Sequence, residues 1–163
     1  MRFLSLLLIT CFAVACTAVT NAAPVAAAHH PEASLFDETR DAGADVDAAL
    51  AQGAVEDKIT LVVMGANWCH DSRALAGWFA TDDDISAVLD RSFVVSYIDV
   101  GQKNRNIDVA QRFGIESIVG TPTMVMVDPD GTVLNRETAV NWRNSASRSK
   151  AEIQQALETV AGI

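Results

Sequence analysis

The strongest constraint on this chain is a junction. An apolar run over residues 59–64, broken only by Thr60, stops at Gly65-Ala66-Asn67 and gives way to a helical pattern over residues 69–80. A short apolar run bounded by turn residues is what a strand buried on both faces requires. The segment after it places Leu75, Trp78 and Phe79 at i, i+3 and i+4, which makes one apolar stripe of a helix. A doubly buried strand that feeds a helix needs helices on the faces of its sheet. The fold class is therefore α/β, a central mixed β-sheet flanked by helices.

The same alternation continues along the chain. Residues 45–52 form an Ala-rich helix that stops at Gly53, and residues 93–100, rich in β-branched and aromatic side chains, form a second central strand. Thr81-Asp82-Asp83-Asp84 offers capping oxygens to a short helix over 85–89, which accounts for these carboxylates without a metal. Asn106 caps a helix that runs to Phe113 and stops at Gly114. A third strand over 123–127, a turn at Asp128-Pro129-Asp130-Gly131 and a return over 132–135 make an antiparallel hairpin at the sheet edge. Residues 141–150 are a polar connection whose Trp142 packs down on the domain. Ser149 and Glu152 then form a capping box for a last helix over 150–161, with Ile153, Leu157 and Val160 on its buried side.

The N-terminus has a different character. Arg2, an apolar stretch over 3–15 and small residues over 15–23 together make an export signal. Ala13-Val14-Ala15-Cys16 also resembles a bacterial lipoprotein signal, in which Cys16 becomes the lipid-anchored first residue. Cleavage after Ala18 or Ala22 would instead release a soluble form. Both routes predict an extracytoplasmic protein of the bacterial periplasm. Residues 24–44 are then a linker and residues 45–163 the folded domain. His29 and His30 in that linker are solvated residues with no second group of ligands nearby. A net charge of −9, from 12 Lys+Arg against 21 Asp+Glu, excludes a nucleic-acid surface. After the leader, no apolar run approaches the roughly 20 residues that cross a bilayer.

Cys11 and Cys16 lie in the leader, so the domain keeps Cys69 alone and has no internal disulfide. In an oxidising compartment a lone cysteine is either buried and inert or a thiol that meets other sulfur compounds. Trp68-Cys69-His70-Asp71-Ser72 occupies the junction between the buried strand and the helix, so its sulfur falls at a helix N-terminus. The unpaired N–H groups there favour thiolate over thiol. His70 and Arg73 act in the same direction, whereas Asp71 and the acidic net charge oppose it.

Three features together resemble the thioredoxin superfamily over about residues 45–163. They are the strand with its Trp68-Cys69-x-x-Ser72 turn, the Gly120-Thr121-Pro122-Thr123 segment, and the hairpin with Asp130-Gly131. The resemblance implies a thioredoxin-like fold in which Pro122 is cis beside the reactive sulfur and Thr121 offers backbone groups to an extended substrate. Thr121 at this place is also seen in periplasmic disulfide isomerases of the superfamily. The chain departs from the family's pattern at three positions. Ser72 replaces the second cysteine, and Val63 and Val95 stand where dithiol thioredoxins have a buried acid and a buried lysine. What remains is single-sulfur chemistry, isomerase or reductase, on client protein thiols or disulfides or on a small thiol. Cys69 carries it, Ser72 hydrogen-bonds the sulfur, and Trp68, Thr121 and Pro122 hold the client. No cofactor is implied, and Cys69 with His70 lacks the further ligands of a metal site. The alternative is a binding or chaperone-like module that holds extended peptides without redox turnover.

Overall fold

The computed structural model describes residues 30–163. The expected leader, Cys16 and His29 lie outside the described residues. Strand β1 (Ile59–Gly65) is buried along its whole length and forms the centre of a three-stranded sheet of order β2-β1-β3. β2 (Phe93–Asp99) runs parallel to it, from Ile59 opposite Phe93 to Gly65 opposite Asp99. β3 (Thr123–Val127) runs antiparallel, from Thr60 opposite Val127 to Met64 opposite Thr123. The sheet is thus mixed, as the apolar run and the hairpin turn predict. The period of two along β1 sends Leu61 and Val63 into one core and Val62 and Met64 into another.

The first core is closed by α2 (His70–Thr81), α3 (Asp83–Ser92) and α5 (Lys150–Ala161), which contribute Leu75, Phe79, Ile85, Ile153 and Leu157. The second is closed by α1 (Ala42–Glu56) and α4 (Ile107–Arg112) through Val46, Val109 and Ala110. Asp82 caps α3 by accepting from the N–H groups of Asp84 and Ile85, and Ser149 with Glu152 forms the capping box of α5. Among the described residues no helix is long and apolar enough to cross a membrane.

Several local expectations are corrected. α1 runs through Gly53 to Glu56 because the chain reverses at Asp57, in the left-handed region (φ 54°), with the Lys58 N–H bonded to the Gly53 carbonyl. Asn106 makes no side-chain cap. It is itself left-handed (φ 53°) and donates from Nδ2 to the Asp99 carbonyl at 2.7 Å. The return strand of the hairpin shrinks to a single bridge, Val127 with Val133. The Asn135 side chain replaces it along β3, donating to the Met124 carbonyl and accepting from the Met126 N–H, both at 2.8 Å. One amide side chain here does what a peptide group of a fourth strand would do.

The largest correction concerns the expected linker. α1 starts at Ala42, capped by Asp41, and the segment before it from Pro31 lies on the domain. Phe36 is 2% exposed and meets Tyr97 edge-on, with centroids 5.7 Å apart. The Asn67 side chain clasps the Phe36 backbone, accepting from its N–H at 3.2 Å and donating to its carbonyl at 2.8 Å. Gly65 makes room for the ring, since a Cβ there would lie 2.6 Å from Phe36. Gly77 on α2 does the same for the backbone of Pro31 and Glu32. Residues 24–44 carry no helical or strand period, so one buried aromatic among them left no pattern to read.

Candidate functional site

The end of β1 and the start of β3 are paired, Met64 opposite Thr123, so the turn after one strand faces the loop before the other. Cys69 stands in that turn. Its N–H bonds to the Ala66 carbonyl at 3.0 Å, and as the N-cap of α2 it has extended backbone angles and no side-chain cap bond. The sulfur is free to point away from the helix, and Sγ donates to the Thr121 carbonyl at 3.4 Å. Cys69 is half-buried, Thr121 and Pro122 are buried, and the peptide bond between them is cis. Thr123 shapes the loop by donating from Oγ1 to the Gly120 carbonyl at 2.8 Å. The structure therefore brings Cys69, Thr121 and Pro122 together.

Trp68 lies to one side, 49% exposed, with Nε1 donating to the Gly101 carbonyl at 2.8 Å. Its ring is pinned to the loop after β2 and helps line a cleft with Leu35, Asn67 and Arg105. Neither Cys69 nor Pro122 lines that cleft. Val119, two residues before Thr121, is 59% exposed, which no sequence pattern marked.

Ser72 does not bond the sulfur. It is fully buried, and its Oγ has no hydrogen-bond partner. One turn into α2, it lies under Phe36 beside Gly65, where a Cβ on the glycine would come within 2.8 Å of Oγ. The sulfur meanwhile is engaged by the Thr121 carbonyl. Val63, fully buried, and Val95, half-buried, put no proton carrier beneath the site.

The charges around Cys69 are largely paired. Asp71 accepts from the Ala146 N–H at 2.9 Å and ties α2 to the turn Ser145–Ser147; in the preceding turn, Arg136–Trp142, Trp142 is buried as the polar connection predicts. His70 Nε2 lies 3.2 Å from one oxygen of Glu32, and Arg73 Nε donates to the other at 2.9 Å. The Arg73 bond, with the positive fields of Arg73 and the histidines, holds the Glu32 carboxyl below the usual carboxylate range. Both side chains expected to favour the thiolate thus share one carboxylate, brought by the segment read as linker.

Residues 41–129, more than half of the chain, match the thioredoxin-like family. The chain belongs to that family. The crystal structure of a disulphide isomerase from Xylella fastidiosa Temecula1 superposes on this thioredoxin-like chain with a TM-score of 0.73 and 34% identity. The match covers 78% of this chain and 97% of that one. Two more distant structures share the fold. A thioredoxin from Thermus thermophilus has 24% identity and a TM-score of 0.52 over 70% of this chain and 82% of its own. A DsbH oxidoreductase has 15% identity and a TM-score of 0.54 over 89% and 93%. No curated protein matches the chain.

Proposed function

We propose that this thioredoxin-like protein carries out thiol–disulfide exchange outside the cytoplasm through Cys69 alone, as a monothiol isomerase or reductase. The observation that carries the reading is the placement of Sγ at the N-cap of α2, partly open, against the Thr121 carbonyl and beside Pro122. The similarity to a disulphide isomerase over almost all of that chain supports it. In the reaction the Cys69 thiolate attacks one sulfur of a client disulfide and the other leaves as a thiolate, giving a Cys69–client mixed disulfide. If the client's own second cysteine attacks that bond, Cys69 is released and the client is isomerised with no net redox change. If two equivalents of an external thiol complete the exchange, the client is reduced and those thiols are oxidised. Ser72 cannot take part in either release, because it has no sulfur.

Trp68, Thr121 and Pro122 form the client-holding surface, with Thr121 offering backbone groups to an extended segment. Export through residues 1–23, and a lipid anchor at Cys16, belong to the same proposal and rest on the leader pattern. Acid quenching followed by mass spectrometry of covalent partners tests the core of it. Wild-type chain yields Cys69-linked adducts and rearranges a scrambled disulfide substrate, and Cys69→Ala does neither. Unaltered peptide binding with no adduct from wild type would make the chain a binding module instead.

A further inference from the structure

Three ligating groups that the sequence scatters over forty positions meet at the N-terminal end of α2. His30 and Glu32 come from the segment before α1, and His70 is the first residue of the helix. One donor atom from each lies within 4.8 Å of the others. Glu32 Oε1 and His70 Nε2 are 3.2 Å apart, close to the edge of a tetrahedron whose metal–donor bonds are about 2.0 Å. The imidazoles of His30 and His70 are neighbours, centroids 4.7 Å apart and planes tilted by 50°. We propose that His30, Glu32 and His70 bind a divalent transition cation, zinc or copper(II), with three protein ligands and the remaining position left to water. This corrects the reading of His30 as a solvated linker residue and of His70 as lacking partners.

The surroundings of the three groups are those a metal site needs. His30 Nδ1 is 3.3 Å from the Pro31 carbonyl, and a proton placed on that nitrogen leaves the Nε2 lone pair for a metal. Arg73 Nε holds Glu32 Oε2 and so aims Oε1 at His70, an outer contact that fixes a first ligand. The backbone carrying His30 and Glu32 is seated on Gly77 and tied by the Ala33 N–H to the Arg73 carbonyl at 3.0 Å. The ligands are thus collected by the fold before any ion arrives. Glu32 and His70 are exposed and His30 is half-buried, so an ion can enter. Two neutral imidazoles and one carboxylate suit zinc or copper and offer too few oxygens for calcium. Cys69 Sγ is not one of the clustered donors, so the ion would be held without the sulfur.

The test is calorimetric titration of the full-length chain with zinc chloride, after carboxamidomethylation of its cysteines so that no thiolate competes. The proposal expects one zinc per chain. His30→Ala, Glu32→Gln and His70→Ala should each weaken binding by about tenfold or more, since even outer-sphere partners of a metal contribute that much. His29→Ala should leave binding unchanged. Copper(II) on the alkylated chain without substitution should show two imidazole nitrogens in its electron paramagnetic resonance spectrum, a readout that survives if a variant misfolds. Absence of zinc uptake, a spectrum with fewer than two nitrogens, or affinity that depends on His29 and not on His70 would overturn the assignment. The cluster would then be only the ion pairs that fasten the N-terminal segment to α2.

Discussion

Replacing Phe36 with alanine asks whether the segment ahead of α1 belongs to the folded unit. The side chain is 2% exposed, packed on Tyr97 and filling the space that Gly65 leaves open. Removing a buried phenylalanine ring costs roughly 3–5 kcal/mol, the higher figure applying where the cavity cannot collapse. Here the segment is peripheral and water can enter. Hydration of the unpartnered Ser72 Oγ beneath it would recover about 1 kcal/mol of desolvation. The expected loss is therefore near the lower bound, about 3 kcal/mol, or a fall in Tm of about 10 °C for a domain of this size. Urea unfolding followed by tryptophan fluorescence reads it directly. The midpoint should fall with little change in slope. Phe36→Leu, which keeps most of the volume, should cost no more than about 1.5 kcal/mol. A loss below about 1 kcal/mol for Phe36→Ala would refute the argument, because it would mean that the ring contributes nothing a surface side chain could not.

Other outcomes follow from the same contacts. Burial opposes ionisation of Asp82, but the N–H groups of Ile85 and Asp84 and the Lys150 ammonium outweigh it and hold the carboxyl below its ordinary value of 3.8. A depressed folded-state pKa stabilises the protein above that value and loses its contribution as pH falls through and below it. Asp82→Asn should therefore flatten the acid limb of a stability–pH curve below about pH 4, and an unchanged limb would count against this contact. Tyr97 is the only tyrosine in the chain, and burial pushes its phenol well above the ordinary value of 10.0. The neutral ring stabilises the fold up to that ordinary value, and the contribution is lost as pH rises beyond it. Tyrosinate absorbance should appear only together with alkaline unfolding; a normal titration in the folded protein would show that the ring is not enclosed.

What could be read from the sequence divides by the distance over which each signal acts. The β1–α2 junction was legible because a strand buried on both faces, a turn and a helical stripe follow one another directly, and Cys69 inherits its place from them. The helices were legible to within a few residues for the same reason. Interactions made by a single side chain across the fold left no period. Asn135 standing in for a strand, Asp71 holding Ala146 and Asn67 clasping Phe36 each join positions that share no pattern. Ser72 shows how a motif can mislead. A spacing of three residues made it a partner for the sulfur, yet the helical turn directs Oγ under Phe36 while the loop before β3 supplies the carbonyl that Sγ meets. Glu32 extends the point to electrostatics. Counting charges near Cys69 along the chain sets only Asp71 and the net charge against His70 and Arg73, but the fold turns Asp71 to the Ala146 N–H and brings the Glu32 carboxylate to both from about forty positions away. The charge balance beside Cys69 is therefore set partly by a segment that looks like a tether. Any truncation that removes residues before α1 should alter the electrostatics of the site as well as the stability of the domain.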